Sequence, residues 1–198
     1  MSEDTAQSNE LPNLADIMSR LQDKSLPPVH LWNPDFCGDI DIRIARDGTW
    51  FYMGTPIGRK RMVKLFSTVL RYDDDGKYYL VTPVEKIGII VDDAPFVAVE
   101  ANVFDKGEGQ TIVFRTNVDD EVIAGPDNPI RVEIDPVTLE PAPYVMVRDG
   151  LEALIARSVF YQLVDMGEER QENGETILGI RSGGQFFTIG ALEEPTHA

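Results

Sequence analysis

The order of predicted elements repeats along this chain, and the repeat constrains the fold more than any other feature. Residues 39–83 predict a hairpin around the Asp47-Gly48 turn, a helix from about Arg59 and a closing strand. Residues 129–190 predict two strands, a helix beginning near Gly150 and two more strands. Repeated units of this size indicate duplicated domains, whose seam is the first place to look for a site. Because β-β-α-β patterns also arise without common origin, the duplication remains a hypothesis.

Both predicted helices carry one apolar stripe that we expect to pack on a sheet. In the first helix the stripe consists of Met62, Leu65, Phe66, Val69 and Leu70. In the second it consists of Leu151, Leu154, Ile155, Ser158, Val159 and Gln162. Asp149 and Glu152 have the spacing of a capping box at the start of the second helix. The pattern places Phe66 and Phe160 at matching, buried positions.

Runs of strands with one helix per repeat predict an α+β fold. Further strands are expected between the repeats, at 86–91, 96–104 and 111–117. We therefore expect two related domains of mainly antiparallel sheet with one packed helix each. The predicted division is a flexible N-terminus at 1–28 with a short helix from Asn13, a β-β-α-β domain at 29–83, and an antiparallel sheet plus helix at 84–198.

Composition predicts a cytoplasmic protein without a membrane span. Cys37 is the only cysteine of 198 residues, so it forms no internal disulfide, and a reducing compartment is the simplest setting. The first ten residues are polar and acidic, unlike a signal peptide, and no apolar run approaches the roughly 18 residues of a spanning helix.

The charge is strongly negative and unevenly placed. The formal net charge is −16, with −3 over residues 1–28, +1 over 29–83 and −14 over 84–198. Such an acidic second half repels phosphate backbones, so we expect no DNA or RNA partner. Any small anion must be bound by a few local bases.

Several kinds of catalytic and metal site are disfavoured, and we predict no catalytic residue, metal or cofactor. His30 and His197 lie in the linker and the tail, which leaves the predicted body without a histidine base. The Asp73-Asp74-Asp75-Gly76 run has no alternating ligands and no distant glutamate, so it reads as a hairpin turn rather than a calcium loop.

Clustered bases are the more informative residues. Arg59, Lys60 and Arg61 begin the first predicted helix, where cations oppose the helix dipole and need either neighbouring acids or a bound anion. Lys64 follows one turn later. Arg157 and Tyr161 lie one turn apart in the second predicted helix, and Arg148 comes just before its capping Asp149. A partly buried arginine takes either a carboxylate or a phosphate as its partner.

The predicted seam between the repeats carries a hydroxyl, a carboxylate and an ammonium group. These belong to Thr82, Glu85 and Lys86, next to the rigid Pro83. A Glu/Lys pair acts in proton transfer in some enzymes, but it is more often a surface salt bridge.

The motif Gly76-x-Tyr-x-Leu-Val-Thr-Pro-x-Glu-Lys86 resembles the bacterial Domain-of-Unknown-Function 1285 family. Trp50-x-Tyr-x-x-x-Pro-Ile-x-Arg59 before it, and Thr116, Asn117, Tyr144, Arg148, Arg157 and Tyr161 after it, extend the resemblance over nearly the whole chain from residue 32 to 190. The resemblance implies a duplicated two-domain core, a C-terminal domain superficially like pleckstrin homology folds, a nucleotide-like ligand at the domain interface and a role in signalling. The family has no established activity.

We therefore expect a non-enzymatic sensor or adaptor of bacterial signal transduction that binds a small anionic, nucleotide-like ligand and a signalling protein. The expected ligand-binding residues are Arg59, Thr82, Glu85, Lys86, Asn117, Arg148, Arg157 and Tyr161. Trp50, Tyr52 and Tyr161 are candidates for stacking on a base. Two alternatives stay open, namely an acidic protein-interaction module without a small ligand and an enzyme that uses Glu85 and Lys86.

Overall fold

The computed structural model describes residue 15, residues 26–107 and residues 109–192. The helices are α1 (Lys60–Thr68) and α2 (Arg157–Asp165), with a 3-10 turn at Val29–Leu31. The strands are β1 (Phe36–Ile44), β2 (Trp50–Tyr52), β3 (Thr55–Pro56), β4 (Leu70–Tyr72), β5 (Tyr78–Val81), β6 (Lys86–Val91), β7 (Phe96–Phe104), β8 (Thr111–Thr116), β9 (Glu121–Ile123), β10 (Ile130–Ile134), β11 (Pro141–Arg148), β12 (Leu151–Ile155), β13 (Glu168–Glu172), β14 (Glu175–Ser182) and β15 (Gln185–Leu192). Of the helix predicted from Asn13, the structure describes only Ala15, which is helical and exposed; the rest of the prediction lies outside the described residues. Among the described helices, none is long and apolar enough to cross a membrane.

Two six-stranded sheets share one topology. The first sheet has the strand order β3-β2-β1-β6-β5-β4, and the second has β9-β8-β7-β12-β11-β10. In each, the first and sixth strands of the unit run parallel, and all other neighbours are antiparallel. The predicted α+β fold of two related units is therefore confirmed. The related units are residues 36–91 and 96–155, however, rather than 39–83 and 129–190.

The end of the first sheet lies beyond the predicted division at residues 83 and 84. Strand β6 pairs with β5 through the turn at 82–85 and with β1 in parallel, so the first sheet continues to Val91. A third sheet of β13, β14 and β15 follows α2. One continuous cluster of buried apolar residues includes members of all three sheets.

The predicted start of the second helix is wrong. Asp149 and Gly150 have φ values of 45° and 77° and form the turn of the β11–β12 hairpin. Residues 151–155 then alternate buried and half-buried as a strand, because Leu151, Ala153 and Ile155 all point into the core. The helix begins only at Arg157.

The first helix lies where it was predicted, but its buried stripe differs. Met62 and Leu65 are exposed, while Val63 and Phe66 pack partly against the core. The ring of Phe66 stacks on Trp50 with centroids 6.2 Å apart. Phe66 lies in the last turn of α1 and the buried Phe160 in the first turn of α2, so the predicted match between them is wrong.

A cleft between the two sheets as the candidate functional site

A cleft of about 720 Å³ lies between the first sheet with α1 and the second sheet. From the first unit it is lined by the β1–β2 hairpin and by the chain that enters α1. From the second unit it is lined by β7, β8 and the β8–β9 turn. Its apolar lining includes Trp50, Ile57, Val63, Val99 and Val118, and its polar lining includes Lys60, Arg61, Lys64, Arg115, Asn117 and Asp119.

Helix α1 brings three bases to this cleft. The amide of Ile57 donates to the Trp50 carbonyl at 2.8 Å, which ties the entering chain to β2 before the helix begins. Arg59 is the N-cap, with no side-chain cap and no acid in the first turn. Within the described residues, Lys60 and Arg61 form no ion pair with any of the neighbouring acids that the sequence allowed as their partners.

In the part of the lining that the structure describes, the second unit contributes the fourth base, Arg115, and the only acid, Asp119. Arg115 lies 2.6 Å from Glu100 and 3.6 Å from Asp119. Lys64 reaches across from α1 to Asp119 at 3.3 Å. Hydrogen bonds from Asn102 and Arg115 lower the pKa of Glu100. Among the described residues of the lining, four bases against one carboxylate give a formal charge of +3 in a protein of −16, and Glu100, which pairs with Arg115 from outside the lining, offsets one of these charges.

Asn117 joins the two walls. Its Oδ1 accepts from the Val97 amide at 3.0 Å, and its Nδ2 donates to the Gly48 carbonyl at 3.2 Å. Gly48 has a φ of 81°, and a Cβ there would overlap the Asn117 amide. Glycine is therefore required at this turn both for its conformation and for the close approach of the second unit.

Trp50 lines the cleft with an incomplete set of hydrogen bonds. Its side chain is 1% exposed, and its indole N–H has no hydrogen-bond partner within the described residues. A buried donor without an acceptor costs roughly 1–3 kcal/mol, and buried tryptophans usually have a partner. The unpaired donor is itself buried, so it is a local cost to stability rather than a group that a ligand in the open cleft contacts.

Arg148 links the two units below the cleft and is already satisfied within the protein. Its Nη1 donates to Asp120 at 2.8 Å and its Nη2 to the Ser67 carbonyl near the end of α1 at 2.7 Å. The guanidinium also lies 5.0 Å from the centroid of the Phe96 ring. The carboxylate partner that sequence reasoning left open for Arg148 is therefore Asp120.

Of the predicted seam residues, Thr82 and Glu85 lie in the β5–β6 turn of the first sheet and Lys86 begins β6; none of them lines the cleft. The Thr82 hydroxyl accepts from the Glu85 amide at 3.1 Å, which shapes the turn. Glu85 is exposed, and Lys86 binds Asp73 at 2.5 Å rather than Glu85. The Glu85/Lys86 proton-transfer pair is not formed.

Lys86 belongs to a partly buried network that lines a second cavity of about 560 Å³. It lies 3.9 Å above the Tyr79 ring, and the Tyr79 hydroxyl donates to Asp75 at 2.6 Å, which raises the pKa of Tyr79 to about 12. The described lining of this cavity contains four aspartates against two permanently charged bases, Arg71 and Lys86, together with His30. Its charge disfavours an anion.

The remaining predicted residues lie apart from the cleft. Arg157 and Tyr161 are exposed on α2 and line a smaller cavity of about 280 Å³, where Arg157 faces Glu140 at 3.4 Å. Arg59 sits between two cleft residues but does not line the cleft itself.

Of the eight predicted residues only Asn117 lines the cleft. Arg115 was missed because its approach to α1 depends on how the sheets pack. Tyr52 is exposed and outside the lining.

The cleft lies at the boundary between two recognisable domains. Residues 27–94 match the N-terminal domain model of a family described as a domain of unknown function, DUF1285, and residues 95–189 match its C-terminal domain model. The chain belongs to the DUF1285 family. The division between the two DUF1285 domains falls between β6 and β7, where one six-stranded sheet ends and the other begins.

Two solved structures of this family are similar to the chain. A DUF1285 protein from Silicibacter pomeroyi DSS-3 is 55% identical with a TM-score of 0.79, over 89% of this chain and 95% of that one. A second, from Shewanella baltica OS155, is 26% identical with a TM-score of 0.50, over 63% of this chain and 90% of that one. No curated protein matches. Within the described residues no three His, Cys, Asp or Glu side chains are grouped as metal ligands.

Proposed function

We propose that this protein is a non-enzymatic sensor or adaptor that binds a small anionic, nucleotide-like ligand in the inter-sheet cleft. The observation that carries the proposal is the charge of the cleft, where Lys60 and Arg61 have no described counter-ion although the protein is strongly acidic. Concave sites at domain interfaces that combine an apolar wall with a few convergent polar groups are typical of small-ligand binding.

The two sides of the cleft suit the two parts of such a ligand. Lys60, Arg61, Lys64 and Arg115 supply donors for a phosphate. Ile57, Val63 and Val99 supply an apolar surface for a planar ring, with Trp50 beside them. Because the walls belong to different units, a bound ligand would stabilise one arrangement of the units, which is the property that a sensor needs.

A thermal-shift screen of nucleotides and other phosphorylated metabolites tests the proposal. A ligand at about 100 times its dissociation constant stabilises a protein by roughly 2.7 kcal/mol. Trp32 and Trp50 are the only tryptophans. In a Trp32→Phe background, a change in the fluorescence of Trp50 would therefore place the ligand at the cleft.

A double variant with a charge-matched control sharpens the test. Lys60→Ala/Arg61→Ala should weaken binding at least tenfold, since each charge-assisted hydrogen bond contributes about 1.5–3 kcal/mol. Lys77→Ala/Lys106→Ala removes the same charge at exposed positions outside the cleft and should leave affinity within about twofold, because exposed distant charges are screened by salt. Equal losses in both variants would show only a long-range effect of net charge.

One observation favours the alternative of an acidic interaction module. Strand β13 is an edge strand whose five residues, Glu168–Glu172, are all exposed and mostly acidic. A basic partner would bind there in a salt-sensitive manner. Salt-sensitive partner binding without stabilisation by any small anion would favour this second function.

A further inference from the structure

Asp119 is the only acid among the described residues that line the inter-sheet cleft, and the fold holds its carboxylate among the bases. The β8–β9 turn is closed by hydrogen bonds from the Asp119 amide to the Thr116 carbonyl and from the Asp120 amide to the Thr116 hydroxyl, each 3.0 Å long. Asp119 itself has a φ of 62°, in the left-handed region. Its carboxylate then lies between Lys64 of one unit and Arg115 of the other.

These two ion pairs are long and open to solvent. The oxygens of Asp119 lie 3.3 Å from Lys64 and 3.6 Å from Arg115, and the Asp119 side chain is 65% exposed. Exposed pairs of this kind contribute little to stability. Their main effect is to keep one negative charge at the point where bases of both units converge.

We propose that Asp119 occupies the anion position of the cleft in the free protein and that a phosphate-bearing ligand binds by displacing it. This inference rests on the proposed function. Displacement frees Lys64 and the Nη1 of Arg115 to join Lys60 and Arg61 around the phosphate, while the Nε and Nη2 of Arg115 stay bonded to Glu100. The tethered Asp119 carboxylate thereby competes with the ligand and lowers the apparent affinity of the cleft for it.

Competition with Asp119 also selects the class of ligand. A tethered group has an effective concentration in the millimolar range. A free monocarboxylate carries the same charge as the Asp119 carboxylate, so it would compete poorly with this tethered group. A phosphate monoester carries a charge of about −1.5 to −2 and three acceptor oxygens, which match four bases better than one carboxylate does. The cleft should therefore prefer a phosphate monoester to a carboxylate.

Removing the competing charge while keeping the turn tests the inference. Asp119→Asn retains the shape of the side chain, and asparagine tolerates a positive φ. In the full chain with the Trp32→Phe background, Trp50 fluorescence would be titrated with adenosine 5′-monophosphate, adenosine and acetate at low salt. Asp119→Asn should bind the monophosphate roughly three- to tenfold more tightly than the parent, and this gain should shrink as salt is added.

Asp105→Asn is the matched control, because Asp105 is also exposed with a positive φ of 50° but lies outside the cleft. Its affinity should equal that of the parent. If Asp119→Asn leaves the affinity unchanged or weakens it, the proposed displacement is wrong. Loss of binding in Lys60→Ala/Arg61→Ala would in that case still support the anion site. If neither the parent nor Asp119→Asn binds the monophosphate, the anion site and the displacement both fail.

Discussion

The two six-stranded sheets have the same strand order, but they differ in the connection between their third and fourth strands. In the first sheet this connection spans residues 57–69 and contains α1. In the second it is the short turn at 124–129, closed by reciprocal 3.1 Å hydrogen bonds between Gly125 and Asn128. The cleft lies beside the inserted helix. The shared topology thus supplies the scaffold, and the difference between the copies supplies the candidate site.

The connection between the third and fourth strands also differs in charge between the two units. Residues 57–69 contain four bases and no acid, whereas residues 124–129 contain Asp127 and no base. The second unit instead has a helix after its sixth strand, and that helix packs against β7 and the third sheet through buried apolar residues. An anion site is therefore expected from the first copy alone, with the second copy forming the opposite wall.

The largest effect should come from the helix of the second unit. Phe160 is 6% exposed, so Phe160→Ala should lower the free energy of unfolding by about 3–5 kcal/mol. Phe66 on α1 is only partly buried, and Phe66→Ala should cost roughly half as much. Chemical denaturation would measure both, with the exposed Tyr161→Ala as control. Equal losses in the free energy of unfolding would mean that the two helices are equally well packed despite their different positions in the two units.

Arg148→Met should have the next largest effect, because it removes one of the hydrogen-bonded links between the two copies. The Ser67 carbonyl and one oxygen of Asp120 lose their donor, which should cost about 2–3 kcal/mol. Weaker coupling should also broaden the denaturation curve or split it into two steps. Arg157→Met removes a similar side chain from the surface and serves as the control. A sharp, unshifted transition in Arg148→Met would show that the core alone couples the units.

The equivalent β4–β5 and β10–β11 hairpins provide a third comparison. Although partial burial acts to raise the pKa of Asp73, hydrogen bonds from Arg71 and Lys86 outweigh it, and the pKa is lowered. Asp73→Asn should therefore reduce stability at pH 7 by about 1–2 kcal/mol. A lowered pKa stabilises the protein above the unfolded value of about 4, and that stabilisation is lost as the pH falls through the folded pKa. The parent and Asp73→Asn should therefore converge in acid.

Asp135→Asn is the control from the second copy. The pKa of Asp135 is also lowered, by hydrogen bonds from the amides of Thr138 and Val137, but this carboxylate is fully exposed and has no described ion pair. Its replacement should cost less than that of Asp73. A larger loss from Asp135→Asn would mean that turn hydrogen bonds outweigh the buried ion pairs.

Local sequence patterns predicted the long strands correctly. They failed in segments whose apolar residues fit both a helix and a strand. Strands β6 and β7 begin and end at the predicted residues, because their apolar runs are long and bounded by turn residues. Leu151, Leu154 and Ile155 fit a helical stripe, whereas Leu151, Ala153 and Ile155 fit a strand. Asp149 likewise serves either as a helix cap or as a hairpin turn. Tertiary pairing selects the strand over the helix, because residues 151–155 form β12, which pairs in parallel with β7.

The candidate site was predictable only in part for a related reason. The basic start of α1 and Asn117 are visible in sequence. That Arg115 and Asp119 face Lys64 depends on the packing of one sheet beside another, for which local sequence holds no signal. The true repeat was hidden because the helices, the strongest periodic segments, occupy different places in the two units.

The smallest effect should come from Arg157, which sequence reasoning placed in the site. Its guanidinium and the Glu140 carboxylate are 69% and 65% exposed at 3.4 Å, a pair that contributes at most about 0.5 kcal/mol. Arg157→Ala should therefore leave the free energy of unfolding nearly unchanged, and calorimetry with any nucleotide that stabilises the parent should give the same affinity within about twofold, because screening weakens distant charges. Lys60→Ala/Arg61→Ala should weaken the same titration strongly. A tenfold loss in Arg157→Ala would instead extend the site to α2 of the second copy, and the insertion of α1 would no longer suffice to explain binding.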